Sequence, residues 1–256
     1  LAITRRGPMS DGTAGQVVDL SVEYDGNRPV RVTDSSDPVL LESSLDFAAG
    51  EARYSYDCDG RLIRDTGRGI SITYSPADRP AVITTDGGSR FLYATDATGR
   101  RHSRRRVTGG PTAGPTAARH YIGPYEFDEQ EGRLTLHRIS VPWGYITAGR
   151  EAMTYITDHQ GNIRAVTDST GTAVQTTDCY PYGLPMATST GQEKNPYKYS
   201  GKELETEDGL DLYDFGARQY YPAIAMFDRP DPKAGDYPHL NPYMYCAANP
   251  VMLIDL

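Results

Sequence analysis

Along most of the chain, short runs of alternating apolar and polar residues are closed by turn residues, and one unit returns again and again. Tyr54-Ser55-Tyr56-Asp57-Cys58-Asp59-Gly60-Arg61-Leu62, Tyr93-Ala94-Thr95-Asp96-Ala97-Thr98-Gly99-Arg100 and Tyr155-Ile156-Thr157-Asp158-His159-Gln160-Gly161-Asn162-Ile163 each place Asp three residues after Tyr and Gly three residues after Asp. The stretch 125–134 repeats the pattern with one inserted residue, and Tyr24-Asp25-Gly26-Asn27 is a shortened cousin. Tyr74-Ser75-Pro76-Ala77-Asp78-Arg79 falls between Tyr54 and Tyr93, at spacings of 20 and 19 residues. Period-two alternation predicts a strand. Asp57, Asp96 and Asp158 are suited to capping a turn through backbone N–H groups, and Gly60, Gly99 and Gly161 to its left-handed position. The strand that follows, such as 61–64 or 162–166, runs back, so each unit predicts a β-hairpin. One hairpin cannot cover its own apolar face, but stacked hairpins form a long, curling sheet with a shared core. The fold class expected is all-β.

The remaining elements are less regular. Strands are expected over 16–22 and 30–32, a less regular one over 43–48, and a Gly/Pro-rich loop over 108–118 that breaks the hairpin series without ending a domain. After 178 the character changes. Tyr180-Pro181-Tyr182-Gly183 reads as a tight turn and 186–195 as a polar loop. Short strands are expected over 197–199, 210–213 and 217–221. The one short helix expected covers 240–249 and is closed by Asn249 before Pro250, with its apolar residues toward the sheet. The division predicted is 1–50 as an N-terminal β segment, 51–178 as hairpins and 179–256 as a distinct C-terminal region.

Composition supports thin sheets over a helical bundle. Hydrophobic residues make up 38%, and 19 Tyr outnumber 5 Phe and 1 Trp. Tyr suits half-wet positions, since its ring is apolar and its hydroxyl needs a partner. The 26 Gly and 18 Pro leave little room for long helices. A net charge of -8 argues against nucleic acid, which needs a positive surface. The dense basic run Arg100, Arg101, Arg104, Arg105 and Arg106 reads first as a solvated strand and turn, and second as a seat for an anion or an acidic partner surface. Cys58, Cys179 and Cys246 form no disulfide framework and no metal spacing. His102, His120, His137, His159 and His239 show no metal motif, and no Gly-x-Ser-x-Gly elbow is present. No cofactor is expected. The chain shows no signal peptide and no apolar stretch long enough to span a bilayer. Its start at Leu1 rather than Met fits a piece of a longer polypeptide.

Several tracts together resemble one known family. These are Tyr155-Ile-Thr-Asp-His-Gln-Gly-Asn-Ile-Arg164, Tyr180-Pro-Tyr-Gly183, Tyr197-Lys-Tyr-Ser-Gly-Lys-Glu-Leu204, the run 209–222, Phe227-Asp-Arg-Pro-Asp-Pro232 and the run 241–250. In this order they resemble the core domain of RHS (rearrangement hotspot) repeat proteins, with a match that begins near 155 and a flavour like the Bacteroidetes branch. Residues 54–106 look like the YD repeats of that family. The core pieces include Gly201, Lys202, Glu203, Tyr213, Gly216, Tyr220 and Tyr221. The resemblance implies hairpins spiralling into a hollow shell, a core domain that plugs one end, and encapsulation of a C-terminal toxic domain, as in polymorphic toxins. It implies upstream repeats, a C-terminal toxin domain, and a secretion apparatus or immunity protein as partners. Location would be secreted or cell-surface as part of a larger bacterial protein, with no membrane insertion by this stretch. At about 20 residues per hairpin the chain is far too short for a closed cage. The last turn of a spiral plus its plug is expected, with an exposed upstream strand edge. A surface adhesion or glycan-binding module is a further reading, and outward rows of Tyr would mark it.

The same resemblance implies a candidate chemistry. Self-cleaving members carry two carboxylates and one arginine, matched here by Asp231, Asp255 and Arg218. Paired carboxylates divide acid and base roles in aspartic proteases, and an arginine can orient one of them through a bidentate contact. No metal is required. Asp231-Pro232 is also an ordinary turn start, and Arg218 an ordinary loop clamp. The family pattern continues with Pro-x-Gly where this chain ends at Leu256. That ending fits a trimmed fragment, a remnant with a lost or exchanged tail, or a cleavage product. The segment Lys202-Glu203-Leu204-Glu205 is expected to face solvent, or else to lock the plug.

Overall fold

The computed structural model describes residues 2–8, 14–36, 46–47, 50–109, 114 and 117–255. Among the described residues, sixteen strands follow one another in a single antiparallel meander in which every strand pairs with its neighbours in sequence. They are β1 (Ala2–Pro8), β2 (Ala14–Asp25), β3 (Arg28–Asp34), β4 (Gly50–Tyr56), β5 (Leu62–Asp65), β6 (Ile70–Tyr74), β7 (Pro80–Thr85) and β8 (Arg90–Thr95). The series continues with β9 (Arg101–Val107), β10 (Ala117–Ile122), β11 (Tyr125–Gln130), β12 (Arg133–Val141), β13 (Gly144–Thr147), β14 (Ala152–Thr157), β15 (Ile163–Thr167) and β16 (Ala173–Thr176). A second antiparallel sheet holds β17 (Glu203–Glu205), β18 (Leu212–Asp214), β19 (Gln219–Tyr221) and β20 (Met226–Phe227). The expected strands 16–22 and 30–32 lie inside β2 and β3. The strand expected over 43–48 falls outside the described residues except for Asp46 and Phe47, neither of which is in a strand.

The repeat turn has one chemistry. At Asp57 the side-chain Oδ1 accepts the N–H groups of Asp59 (3.0 Å) and Arg61 (2.9 Å), and Gly60 N donates to Asp57 O (3.0 Å). Asp96 and Asp158 do the same two and four residues on. Asp168 forms a further such turn with Gly171 that lacks the leading Tyr. Just before each of these caps the strand register slips, between Ser55 and Tyr56, Ala94 and Thr95, Ile156 and Thr157, and Val166 and Thr167. A bulge bends and twists its strand, so a bulge in unit after unit curls the sheet. The unit at 74–79 substitutes Ser75 for the capping Asp, and Asp78 takes the left-handed position at φ 61°. The unit at 125–134 departs from expectation. Its turn is the two-residue Glu131-Gly132, and Asp128 sits within β11, bonded to Arg119 and His137. Arg and His draw the Asp128 carboxyl below its ordinary range despite its partial burial.

The core lies between one face of the large sheet and the C-terminal tract. Val18, Leu20, Val32, Ile70, Ile83 and Phe91 pack with Leu184, Leu210, Leu212, Ala223 and Tyr243. Each fully buried aliphatic side chain stabilises this contact by about 1.5–3 kcal/mol. A second cluster is aromatic: Tyr199, Tyr213, Tyr220, Phe227 and Tyr245. Three of its hydroxyls donate to successive carbonyls of the 180–183 turn, Tyr199 to Pro181 (2.8 Å), Tyr220 to Tyr182 (2.8 Å) and Tyr213 to Gly183 (3.0 Å). A side chain at Gly183 (φ 85°) would run into the Tyr199 ring at 2.5 Å, so the turn accepts only glycine there.

The expected helix over 240–249 does not form. Tyr243 and Tyr245 are both buried, which is a period of two, and Cys246, Ala247 and Ala248 all adopt positive φ. Burying both rings keeps that stretch extended, and the left-handed turn ends it. No α-helix occurs among the described residues. The expected strand over 197–199 is reduced to a single bridge from Tyr197 to Glu203.

Candidate functional site

Two polar clusters stand out, one where the sheet and the C-terminal tract meet and one within the tract itself. In the first, β9 offers its arginines inward. Arg101 meets Glu205 Oε1 (2.7 Å) and Asp214 Oδ2 (2.8 Å), and Arg104 meets Glu205 Oε2 (2.9 Å) and Glu207 Oε2 (2.6 Å). Both arginine side chains are only 11% exposed. Arg106 reaches Asp208 at 2.6 Å. The reading of this run as solvated therefore holds for exposed Arg100 and Arg105 but fails for Arg101 and Arg104, whose acidic partner surface is the chain's own C-terminal tract. The segment at 202–205 is corrected with it, since Glu203, Leu204 and Glu205 are buried. The cause is charge pairing, because a carboxylate can leave water only with a cation in place. Burial pushes the Glu203 carboxyl up against the pull of Arg101, whereas Arg101 and Arg104 overcome burial at Glu205 and hold it low. Lys202 lies over the Phe215 ring at 5.2 Å.

A row of repeat tyrosines extends this contact, one from every second strand. Tyr24 on β2 reaches Met226 Sδ (3.9 Å), and Tyr56 on β4 packs edge-on against the Tyr243 ring (5.6 Å). Tyr74 on β6 donates to Asp228 (3.1 Å), Tyr93 on β8 to Glu205 (2.6 Å) and Tyr121 on β10 to Glu203 (3.0 Å). Tyr243 in turn donates to the carbonyl of Gly60 (2.6 Å), at a turn where an added Cβ would stand 2.7 Å from its hydroxyl. Arg68 stacks over Tyr221 at 3.8 Å and donates to Leu210 O (2.9 Å). Among the nineteen tyrosines only Tyr125 and Tyr237 are exposed.

The second cluster unites the three residues singled out by resemblance. Arg218, ahead of β19, is 7% exposed and lies 3.6 Å over the Phe227 ring. Its Nη2 meets Asp231 Oδ2 at 2.9 Å and Asp255 Oδ2 at 3.2 Å, so the two carboxylate oxygens lie no farther apart than the sum of those distances. Its Nη1 turns to Pro242 O (3.4 Å). Burial lowers the guanidinium pKa, while Asp231 and Asp255 pull it the other way. Asp231 is fixed by its own turn, with Oδ1 accepting Lys233 N–H (2.8 Å) and its N–H donating to Pro242 O (2.9 Å). Both carboxylates remain partly exposed, at 37% and 30%. They open onto a cleft of about 380 Å³ lined also by Leu240, Met244, Cys246, Leu253 and Ile254.

The structure also holds groups that the sequence reading missed. Asp228 is buried, accepts Gln219 N–H (2.9 Å) and the Tyr74 hydroxyl, and is pushed up to about 6 by burial. Arg138, 1% exposed, pairs with Glu126 (3.0 Å) and Asn195 (2.8 Å) beneath the rings of Tyr145 and Tyr197. No local spacing pattern marks either, and Tyr74 for Asp228 and Asn195 for Arg138 lie far away in sequence. Gly201 and Gly216 occupy left-handed turn positions, at φ 65° and 78°. No group of three or more metal-ligating side chains occurs among the described residues.

No protein-family model matches the chain. It is 37% identical over 100 residues to the tRNA nuclease WapA of Bacillus subtilis strain 168, covering 37% of this chain and 4% of WapA. It is 30% identical over 139 residues to salivary gland surface protein 1 of Aedes aegypti, covering 53% of this chain and 4% of that protein. The chain therefore spans only a small part of the curated relatives it matches. Among solved structures, it superposes on the crystal structure of TcdB2-TccC3-TEV with a TM-score of 0.64 at 19% identity, covering 96% of this chain and 13% of that one. The Photorhabdus luminescens Tc holotoxin pore gives 0.60 at 17% identity, covering 99% and 17%. The chain is thus similar in sequence to a short part of WapA, and it shares the antiparallel hairpin fold found in a segment of the TcdB2-TccC3 chains.

Proposed function

We propose that this chain is the closing segment of an encapsulating β-shell of the RHS toxin type. Residues 1–50 and 51–178 form the wall, and 179–256 fold against its inner face as the plug. The observation that carries this reading is the tyrosine row on β2, β4, β6, β8 and β10, with every member engaged by the C-terminal tract. A glycan-binding or adhesion module would turn such a row outward. The partners implied are the rest of the shell, a C-terminal toxic domain and a secretion apparatus or immunity protein. The setting is a secreted or surface-exposed bacterial polypeptide.

A second reading, self-cleavage at the core, is favoured by the convergence of Asp231 and Asp255 on one nitrogen of Arg218. In this chemistry one carboxylate takes a proton from water as its oxygen adds to a peptide carbonyl, and a carboxylic acid protonates the carbonyl oxygen. Collapse with proton transfer to the leaving nitrogen gives a carboxylate and an amine. The buried guanidinium would orient both acids.

The experiment uses the natural longer polypeptide, wild type beside Asp231→Asn, analysed by intact mass, C-terminal sequencing and limited proteolysis. Wild type is expected to be cut beyond Asp255, with the released piece still bound and protease-resistant, and the variant to stay joined. Identical masses would reject self-cleavage. A downstream domain digested as freely as an unfolded chain would reject the shell.

A further inference from the structure

The turn that joins β14 to β15 carries a side chain its own backbone does not need. Asp158 already satisfies the turn by accepting the N–H groups of Gln160 (2.9 Å) and Asn162 (3.1 Å). The Gln160 side chain points away to the end of the chain, where Nε2 donates to Pro250 O (2.6 Å) and Val251 O (3.0 Å) and lies 3.5 Å from Leu253 O. An amide NH₂ has two hydrogens, so the first two carbonyls take them and the third shares. Around this amide the tail turns back on itself, and Met252 and Leu253 N–H both point at Asn249 O (3.3 and 3.1 Å).

Apolar burial does not hold this segment. Val251, Met252, Leu253 and Ile254 are 57%, 77%, 46% and 44% exposed. Their backbone carbonyls are instead gripped by one side chain from the sheet, and the residue that follows them is Asp255. We propose that Gln160 is a positioning residue for the Arg218 cleft: by holding the carbonyls of 250 and 251 it sets the tail so that Asp255 reaches Arg218 beside Asp231. The grip reads backbone only, so it leaves the apolar side chains of 251–254 free.

The test is hydrogen exchange across 250–255 in the whole chain, for the parent, Gln160→Glu and Gln160→Lys. Glu keeps the shape and removes the donors, and Lys restores donors with a different shape. Gln160→Glu is expected to speed exchange at Met252 and Leu253 by about tenfold, and Gln160→Lys to stay within about twofold of the parent. Unchanged tail exchange in Gln160→Glu would overturn the proposal, and so would equal acceleration in both variants or acceleration spread evenly through β14 and β15. Only a second arm rests on the self-cleavage reading. In the natural longer polypeptide, Gln160→Glu is expected to slow scission by a similar factor, with Gln160→Lys restoring it. If the parent is not cut at all, self-cleavage falls while the exchange arm still decides the role of Gln160.

Discussion

The large sheet and the C-terminal tract solve the same problem, satisfying a buried backbone, by opposite means. In the sheet the strands pair with one another, and sixteen of them need little more than a capped turn every few residues. The tract has few ladders, so its carbonyls are met by side chains: Tyr199, Tyr213 and Tyr220 on the 180–183 turn, Arg68 on Leu210, Arg79 on Ala217, Lys198 on Gln192 and Asn195, and Gln160 on the tail. The left-handed positions divide less sharply. Glycine takes such positions in both, as Gly60, Gly99, Gly161 and Gly171 in the sheet and Gly183, Gly201, Gly209 and Gly216 in the tract. The tract adds more non-glycine residues, Ser200, Asp208, Asp211, Ala225 and the run 246–248, than the sheet does with Asp78, Glu131 and Arg150. Regular pairing makes the sheet tolerant of what its outer side chains are. Side-chain bonding makes the tract specific and easily unlocked.

The comparison breaks most sharply at the arginines. Arg64 on β5 meets Asp86 at 2.8 Å with side chains 33% and 62% exposed, whereas Arg101 stands among Glu203, Glu205 and Asp214 at 11% exposure. Exposed pairs contribute about 0–1 kcal/mol, whereas removing one partner of a buried pair costs about 3–5 kcal/mol. Arg101→Ala is therefore expected to lower unfolding stability by that larger amount and Arg64→Ala by less than about 1 kcal/mol, as read by urea denaturation. Equal losses would mean that the acidic tract is not locked to β9.

The same contrast explains how much the sequence revealed. The turns of the sheet are local, so Asp57 and Gly60, Asp96 and Gly99, and Asp158 and Gly161 announce themselves within a few residues, and the hairpins follow from them. The Asp168–Gly171 turn carried the same signal without the Tyr and went unread. Arg101 and Glu205 are far apart in sequence, and alternation alone marks both as polar and outward-facing. Only tertiary pairing turns them inward, which is why the basic run and the 202–205 segment read first as solvated from the sequence, with an acidic partner surface and a lock on the plug only as second readings. The triad of Arg218, Asp231 and Asp255 was accessible through resemblance alone. No spacing rule would have joined residues drawn from three separate turns.

Asp228 offers a smaller and pH-dependent effect. Burial lifts its pKa from the ordinary 3.8 to about 6. A folded-state pKa raised above the unfolded value gives stability that is full below pH 3.8 and is lost as pH rises through about 6. Asp228→Asn keeps an acceptor for Gln219 N–H and cannot ionise. It is expected to match the wild type near pH 4 and exceed it at pH 7.5, by up to about 3 kcal/mol for two pKa units. Denaturation at the two pH values checks this. A variant less stable at both would show that Asp228 is held ionised by Arg229 and that burial does not govern it.

The smallest effect tests the left-handed positions directly. Ala247 sits at φ 48° between Cys246 at 46° and Ala248 at 59°, and its methyl group is exposed. A non-glycine residue there costs about 1–2 kcal/mol, and glycine gives back about 0.5–1 kcal/mol of that through its freer unfolded chain. Ala247→Gly should therefore stabilise by about 0–1.5 kcal/mol, with little packing lost because the methyl is exposed. The mirror change in the sheet, Gly60→Ala, meets φ 79° and the Tyr243 hydroxyl at once, and it should destabilise. Opposite signs would show that the run 246–248 carries backbone strain that the glycine-capped repeat turn avoids. The strained turn lies on the cleft through Cys246 and Ala247, and the tail bearing Asp255 leaves from it, so relieving it also tests the cleft. If Ala247→Gly raises stability while loosening the tail in hydrogen exchange, the left-handed run is what aims the tail at Arg218, with Gln160 gripping a segment already directed there.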